Sequence, residues 1–296
     1  MENIIGRAAE IRLLETLLSS PQAELLAMYG RRRVGKTYLI RTFFEKELIF
    51  EFAGLNGESL AKQLESFGST LTDTFKLPVD IAIPPNWLQA FRTLTKLLEP
   101  QLLATPKGSK RVVFLDEFPW LDTPKSGFLS AFDHFWNSWA SKQKNLVVVI
   151  CGSAASWMIQ NIVKNKGGLH NRITQRIRLM PFNLSEVEQF LRAQRVTIDR
   201  YQILELYMVT GGIPHYLKDI RAGESAVQAI DRLCFTKDGG LGDEFSSLYG
   251  ALFDNSDKHT LIVRTLAHKP SGMTRNELID ACRLSSGGGK IGRAHV

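Results

Sequence analysis

The chain has 296 residues, a formal net charge of +7 and 44% hydrophobic residues. It contains no run of about 18 uncharged apolar residues, and its start lacks the basic and apolar segments of a secretory leader. Three widely spaced cysteines argue against a disulfide framework and against a zinc site. We therefore expect a cytoplasmic protein of more than one domain that is not embedded in a membrane.

The most specific motif follows an apolar run at 25–29 that predicts a buried strand. Residues 30–37 read Gly-Arg-Arg-Arg-Val-Gly-Lys-Thr, which is the GxxxxGK[ST] pattern of a phosphate-binding loop. The apolar stretch at 38–44 predicts a helix, so the glycines stand at a strand-to-helix turn. Backbone N–H groups at such a turn point at phosphates. The motif predicts a nucleotide-binding protein.

The positions of this loop have separate expected roles. Gly30 and Gly35 permit close approach of the backbone to phosphate, while Lys36 reaches the β- and γ-phosphates and Thr37 ligates Mg²⁺. Nucleotide contacts are also expected from Arg31, Arg32, Arg33, Val34 and Tyr38. The three arginines either add positive potential near the phosphates or are solvated loop residues.

A second motif lies after a predicted strand at 49–53 and two helices, predicted at 59–74 and 87–103, that prolines separate. Here an apolar run of four residues ends in Asp116 and Glu117. At the carboxyl end of a buried parallel strand, Asp116 is expected to hold Mg²⁺ and Glu117 to activate the attacking water as a general base. Without the loop, the same acidic pair would also fit a helix cap or a solvated turn.

Aromatic residues then recur at spacings of three and four, and we interpret this stripe as core rather than as a binding surface. Its members are Phe128, Phe132, Phe135, Trp136 and Trp139. The apolar run at 146–150 predicts a further strand, which ends in Cys151-Gly152-Ser153. Ser153 is a candidate catalytic residue that senses the γ-phosphate, and it equally fits the N-cap of a helix starting near Ala154.

The rest of the chain reads as mainly helical after a fifth predicted strand at 177–180. Gly211-Gly212-Ile213-Pro214 fits a corner between two helices, since glycine ends a helix and proline is allowed in the first turn of the next. Helices predicted at 258–267 and 274–281, with a tight joint, suggest the first half of a winged helix. The final residues, 287–296, look like a non-native tail.

Together, Gly6 and Arg7, the loop at Gly30, the two acidic residues, Gly152-Ser153 and the Gly-Gly-x-Pro corner resemble the prokaryotic ATPases of the STAND branch of the AAA+ superfamily. The resemblance runs over about residues 3–284. It implies an α/β fold, with a three-layer P-loop core at 1–182, a helical lid at 183–250 and a partial winged helix at 251–286.

The resemblance also implies roles for individual residues. Gly6 and Arg7 would line the adenine side of bound ATP, and Pro214 would pack on the base from the lid. AAA+ machines use an arginine from a neighbouring subunit in the transition state, and Arg172 or Arg176 could supply it. A surface ion pair is the competing interpretation of both arginines.

The leading hypothesis is an Mg²⁺-dependent ATPase that couples hydrolysis or nucleotide exchange to movement of the lid and winged helix. A DNA-binding regulator with ATP as an allosteric ligand is an alternative, which the basic composition also fits. A small-molecule or nucleotide kinase shares the loop, but no acceptor motif supports it. The winged helix would contact either DNA or a protein, and the resemblance is compatible with a homo-oligomer.

Overall fold

The computed structural model describes residues 4–163, 172–242, 244 and 256–284. The strands are β1 (Glu24–Tyr29), β2 (Leu48–Ala53), β3 (Arg111–Asp116), β4 (Leu146–Gly152) and β5 (Gln175–Arg178). The helices around them are α1 (Ala8–Ser19), α2 (Lys36–Phe43), α3 (Leu60–Phe75), α4 (Trp87–Leu103), α5 (Phe118–Leu121), α6 (Phe128–Ser138) and α7 (Ala155–Trp157). The later helices are α8 (Leu184–Ala193), α9 (Arg200–Thr210), α10 (Pro214–Leu217), α11 (Ala226–Ile230), α12 (Ser256–Ala267) and α13 (Arg275–Ala281).

The five strands form one parallel sheet in the order β2-β3-β4-β1-β5. Strand β1 lies between β4 and β5, with Glu24 opposite Val147 of β4 and Leu26 opposite Gln175 of β5. Since all strands run in one direction, their carboxyl ends meet at the same edge, which is where such sheets bind ligands. The predicted α/β fold of a P-loop protein is confirmed.

The three interior strands, β1, β3 and β4, are mainly apolar on both faces because both faces are covered. In β1, Leu25 and Ala27 join the core beneath α3, α4 and α6, whereas Leu26 and Met28 join the core beneath α1 and α2. Strands β3 and β4 divide their side chains between the two cores in the same way. Fully burying each large aliphatic side chain contributes about 1.5–3 kcal/mol, so this double burial fixes the register of the sheet.

The helices begin and end where the sequence provides caps. Ser59 caps α3 by accepting from the Lys62 N–H, and Asn86 caps α4 by accepting from the Gln89 N–H. The aromatic stripe of α6 is core, as predicted: its first four members are buried. The fifth strand lies slightly earlier than predicted, at Gln175–Arg178.

The chain packs as two compact units, 1–229 and 230–296. Within the second unit, Thr274 and Glu277 form a capping box at the start of α13. Hydrogen bonds from Thr274 and the nearby Lys269 lower the pKa of Glu277 to about 2. The Cys282 thiol donates to Thr265 Oγ1 at 3.3 Å, which links α13 to α12.

The end of the predicted winged helix, residues 285–286, and the tail at 287–296 lie outside the described residues. The partial winged helix and the boundaries at 182, 250 and 286 therefore stay predictions. In the part of the chain that the structure describes, no helix is both long and apolar enough to cross a bilayer.

Candidate functional site

The phosphate-binding loop joins β1 to α2, and its lysine is folded back onto it. Lys36 is only 6% exposed, and its Nζ donates to the Gly30 carbonyl at 3.1 Å and to the Arg31 carbonyl at 2.8 Å. A Cβ on Gly30 would lie 2.3 Å from the Leu179 carbonyl oxygen, so the loop requires glycine there. A Cβ on Gly35 would meet nothing within 4 Å, which leaves open space beside the loop.

Three polar groups meet at the end of β3. The Thr37 hydroxyl donates to Asp116 Oδ2 at 2.6 Å, and the backbone N–H of Glu117 donates to Asp116 Oδ1 at 2.8 Å. Both contacts satisfy a carboxylate that is only 5% exposed. A hydroxyl beside a carboxylate is a set of oxygen donors that suits Mg²⁺. Thr37 and Asp116 therefore fit the metal position that the sequence predicts for them.

The end of β4 contacts the second acidic residue. Ser153 Oγ donates to Glu117 Oε2 at 2.8 Å, and the Ser153 N–H donates to the same oxygen at 3.3 Å. The N-cap of α7 is Ala154, so the interpretation of Ser153 as an N-cap is wrong: its hydroxyl is engaged by Glu117 instead. Glu117 has φ 43° and makes no side-chain cap to α5, which leaves its carboxylate facing the β4 end.

Arg7, the residue before α1, contacts both the phosphate-binding loop and the segment after β5. Its guanidinium donates to the Met180 carbonyl at 2.6 Å and to the Val34 carbonyl at 3.0 Å, and it lies 4.4 Å from the centre of the Phe182 ring. Its backbone N–H donates to Glu186 Oε1 at 2.9 Å. Burial lowers the pKa of Arg7, and the carboxylates of Glu186 and Glu10 offset only part of this decrease.

The Gly-Gly-x-Pro corner lies between α9 and α10. Gly211 ends α9 at φ 61°, and Gly212 follows at φ 68°. The Phe182 N–H donates to the Gly212 carbonyl at 2.8 Å, so the corner is tied to the segment that Arg7 contacts. Pro214 opens α10, as the plain helix corner predicts.

The loop arginines contact two different helices. The Arg32 guanidinium lies 6.0 Å from the centre of the Trp120 ring in α5, and that of Arg33 lies 5.7 Å from the Tyr216 ring in α10. Cation–π contacts at exposed sites contribute about 0.5–1 kcal/mol. Arg32 and Arg33 therefore pack on aromatic rings and are not simply solvated loop residues.

The remaining predicted residues are less connected. Val34 is buried, Tyr38 is 53% exposed, and Gly6 has φ 67° and abuts Glu186. Arg172 is exposed and makes no hydrogen bond or ion pair with the residues that the structure describes. The arginine-finger role therefore gains no contact from this structure and stays a prediction.

One buried side chain near the site was not predicted. Gln63 of α3 is fully buried and hydrogen-bonds the backbone of Leu55 and Trp120, on either side of the acidic pair. A glutamine on an amphipathic helix has no motif of its own. The only available signal was its place on the apolar face, where leucine and phenylalanine are its neighbours.

Cys151 is expected to be inert in the folded protein. The thiol is fully buried in β4, and burial raises its pKa well above the usual value, with the Asp116 carboxylate adding to the shift. A raised pKa keeps the thiol protonated, and the thiolate is the reactive form. A disulfide reagent at pH 8 should label the half-buried Cys234 before Cys151, as peptide mapping would show. Labelling of Cys151 in native protein as fast as in guanidinium would contradict this burial.

Comparison with known proteins agrees with this geometry. A family model described as an ATPase domain predominantly from Archaea matches residues 4–220. The chain belongs to this ATPase family. It is 23% identical over 217 residues to an uncharacterized protein of Methanocaldococcus jannaschii, a match that covers 73% of this chain. The matched part is 44% of that relative, so the chain spans less than half of its length.

Solved structures of P-loop ATPases share the fold of this archaeal-type ATPase domain. A Walker-type ATPase of Pyrococcus abyssi matches 95% of this chain and 89% of its own, with a TM-score of 0.61 and 21% identity. The ORC2 protein of Aeropyrum pernix, solved as ADPNP–ADP complexes, matches 95% of this chain and 81% of its own, with a TM-score of 0.56 and 16% identity. At these identities the likeness shows the fold alone.

Proposed function

We propose that this protein hydrolyses ATP with Mg²⁺, and that Glu117 is the general base of the reaction. The observation that carries the proposal is that side chains at or after the ends of β1, β3 and β4 are in contact at the carboxyl edge of the sheet. There the Thr37 hydroxyl contacts Asp116, and Ser153 contacts Glu117, the residue next to Asp116. Family membership supports ATP as the nucleotide, while the roles of the individual residues are our inference.

Each group has a distinct task in this scheme. Lys36 leaves one of its two loop carbonyls and donates to the β- and γ-phosphates of ATP. Thr37 and Asp116 would hold Mg²⁺, and the bound ion would supply positive charge to stabilise the phosphate oxygens. Glu117 accepts a proton from water as that water attacks the γ-phosphorus, and the bond to the leaving ADP oxygen breaks. Ser153 orients the Glu117 carboxylate through its hydroxyl and its N–H.

We further propose that nucleotide state is transmitted to the helices after the sheet. Two links support this idea: Arg7 joins the Val34 carbonyl of the loop to the Met180 carbonyl, and Arg33 of the loop packs on Tyr216 of α10. A bound phosphate that displaces the loop would alter both the Arg7 contact with Val34 and the Arg33 contact with Tyr216. Slow turnover would fit such a switch, as in the STAND proteins that the sequence resembles.

The alternative of a DNA-binding regulator is supported by the net charge of +7 and by the helix pair α12 and α13 of the second unit. Phosphate contacts make DNA affinity fall steeply with salt. DNA binding that is absent or insensitive to salt in the full-length protein would count against this alternative. A requirement for bound DNA in ATP turnover would support it.

Lys36→Ala tests the proposed function directly. Hydrogen bonds to charged groups contribute about 1.5–3 kcal/mol, so we expect the variant to bind ATP about 10- to 100-fold more weakly and to release little phosphate. Nucleotide affinity and Mg²⁺-dependent phosphate release should be measured for ATP and GTP on the same samples. We expect ATP to be the better substrate and chelation of Mg²⁺ to stop turnover.

The matched control is Lys96→Ala, which removes an exposed lysine from α4. It should leave both measurements unchanged, and a thermal melt without nucleotide should show that both variants are folded. Full phosphate release by folded Lys36→Ala would refute the proposed function. Equal loss in Lys96→Ala would show that the effect is not specific to the loop.

A further inference from the structure

The Gln63 amide ties together two backbone segments that flank Glu117. Its Oε1 accepts from the Leu55 N–H at 3.0 Å, and its Nε2 donates to the Leu55 carbonyl at 2.7 Å. The same Nε2 donates to the Trp120 carbonyl at 3.1 Å. Both N–H groups of the amide are therefore used. Because the side chain is fully buried, water has no access to replace these contacts.

The first segment, just after β2, reaches the acidic pair through the backbone. The Gly54 N–H donates to the Asp116 carbonyl at 3.0 Å. A Cβ on Gly54 would lie 2.7 Å from the Glu117 carbonyl oxygen and 3.1 Å from the Trp120 Cβ. The end of β2 is thus in van der Waals contact with the turn that carries Glu117, and Leu55 is the next residue along.

The second segment is α5, which starts directly after Glu117. The Trp120 N–H donates to the Glu117 carbonyl at 2.9 Å, and the Trp120 carbonyl is the acceptor that Gln63 occupies. Glu117 has φ 43°, a left-handed conformation that a non-glycine residue keeps only when its surroundings enforce it. The Gln63 amide is a buried polar group that contacts both of the segments holding this turn.

We propose that Gln63 is a positioning residue for hydrolysis, which fixes the left-handed turn and thereby aims the Glu117 carboxylate. This proposal rests on the proposed function, in which Glu117 is the general base. Among the described residues, the Gln63 side chain hydrogen-bonds Leu55 and Trp120 and no residue of the phosphate loop. Its loss should therefore slow the chemical step and leave ATP affinity unchanged.

The test uses Gln63→Met in the full chain, because methionine keeps the length and shape of glutamine but has no amide. We expect kcat to fall about 10- to 100-fold, since a displacement of about 1 Å of a catalytic group has that effect, with the dissociation constant for ATP unchanged. The control is Thr72→Val, which removes a buried hydroxyl from the same helix. That hydroxyl accepts from the Ile81 N–H, away from the acidic pair, so kcat should stay at the wild-type value.

A double variant distinguishes a positioning role of Gln63 from a purely structural one. Residues that act as a unit are not additive, so adding Gln63→Met to Glu117→Gln should cause no further loss of the residual rate. Gln63→Glu keeps an oxygen to accept from the Leu55 N–H but cannot donate to both the Leu55 and Trp120 carbonyls, so it should also lower kcat. Failure of both Gln63 variants to fold would overturn the proposal, because the residue would then be needed for the fold itself.

The two proposals can fail separately. If Glu117→Gln abolishes turnover while folded Gln63→Met keeps the wild-type kcat, only the positioning role is refuted. An equal loss of kcat in Thr72→Val would refute it as well. If Glu117→Gln turns over ATP at the wild-type rate, Glu117 is not the base, and both proposals fall together.

Discussion

Glu117→Gln is expected to lower the kcat for ATP hydrolysis by about 10²- to 10⁴-fold, the contribution typical of a general base. The amide cannot accept the proton of the attacking water. It can still accept from the Ser153 hydroxyl, so the local structure should be kept. ATP affinity should be equal or higher, because a negative charge beside the phosphates has been removed. Single-turnover kinetics and equilibrium binding on the same preparation would separate these effects.

Glu51→Gln is the matched control for this experiment. It makes the same carboxylate-to-amide change on the neighbouring strand β2, where Glu51 pairs with the exposed Arg41 at 2.7 Å. Exposed ion pairs of this kind contribute about 0–1 kcal/mol, so stability and turnover should hardly change. Wild-type turnover in Glu117→Gln would exclude Glu117 as the general base. Another group would then have to activate the attacking water.

Gly212→Ala is expected to reduce the free energy of unfolding of the first unit by about 2–5 kcal/mol. A left-handed conformation costs a non-glycine residue about 1–2 kcal/mol, and overpacking adds about 1–3 kcal/mol. Gly212 has φ 68°, and its new Cβ would lie 2.2 Å from the Phe182 carbonyl oxygen. That oxygen belongs to the backbone and cannot move aside without breaking the Phe182 to Gly212 hydrogen bond.

The adjacent glycine provides the control. Gly211 has φ 61°, but a Cβ there would meet nothing within 4 Å. Gly211→Ala should therefore show only the conformational cost of about 1–2 kcal/mol. Guanidinium unfolding of the two variants, followed by circular dichroism, would give the difference. Equal destabilisation in both would mean that the Phe182 contact does not constrain the corner.

The phosphate loop and the acidic pair could be predicted from the sequence because their chemistry is local. An apolar run followed directly by a polar motif places that motif at the carboxyl end of a buried strand. The contact between Thr37 and Asp116 is expected once β1, which precedes the loop, and β3, which ends at Asp116, are parallel strands of one sheet. Ser153 was identified on the same grounds, although its contact with Glu117 was not foreseen.

The remaining contacts depend on tertiary structure and leave no local pattern. Gln63 reads as one polar residue on a helix, and only the fold shows that α3 places it against Leu55 and Trp120. For Arg7 the resemblance implied a contact with adenine, whereas the described contacts of its guanidinium are with backbone carbonyls, the Glu10 carboxylate and the Phe182 ring. The adenine role stays a prediction that needs a nucleotide complex.

The strand order also has a consequence for how the protein is made. The strand before the phosphate loop pairs with β4 and β5, which begin only at Leu146 and Gln175. During synthesis the apolar β1 has no neighbour in the sheet until β4 has left the ribosome, and such distant pairings form slowly. A fragment ending before Leu146 would contain the complete loop motif and lack the strands that hold it. ATP can therefore stabilise the chain only late in folding, after the last strands have joined the sheet.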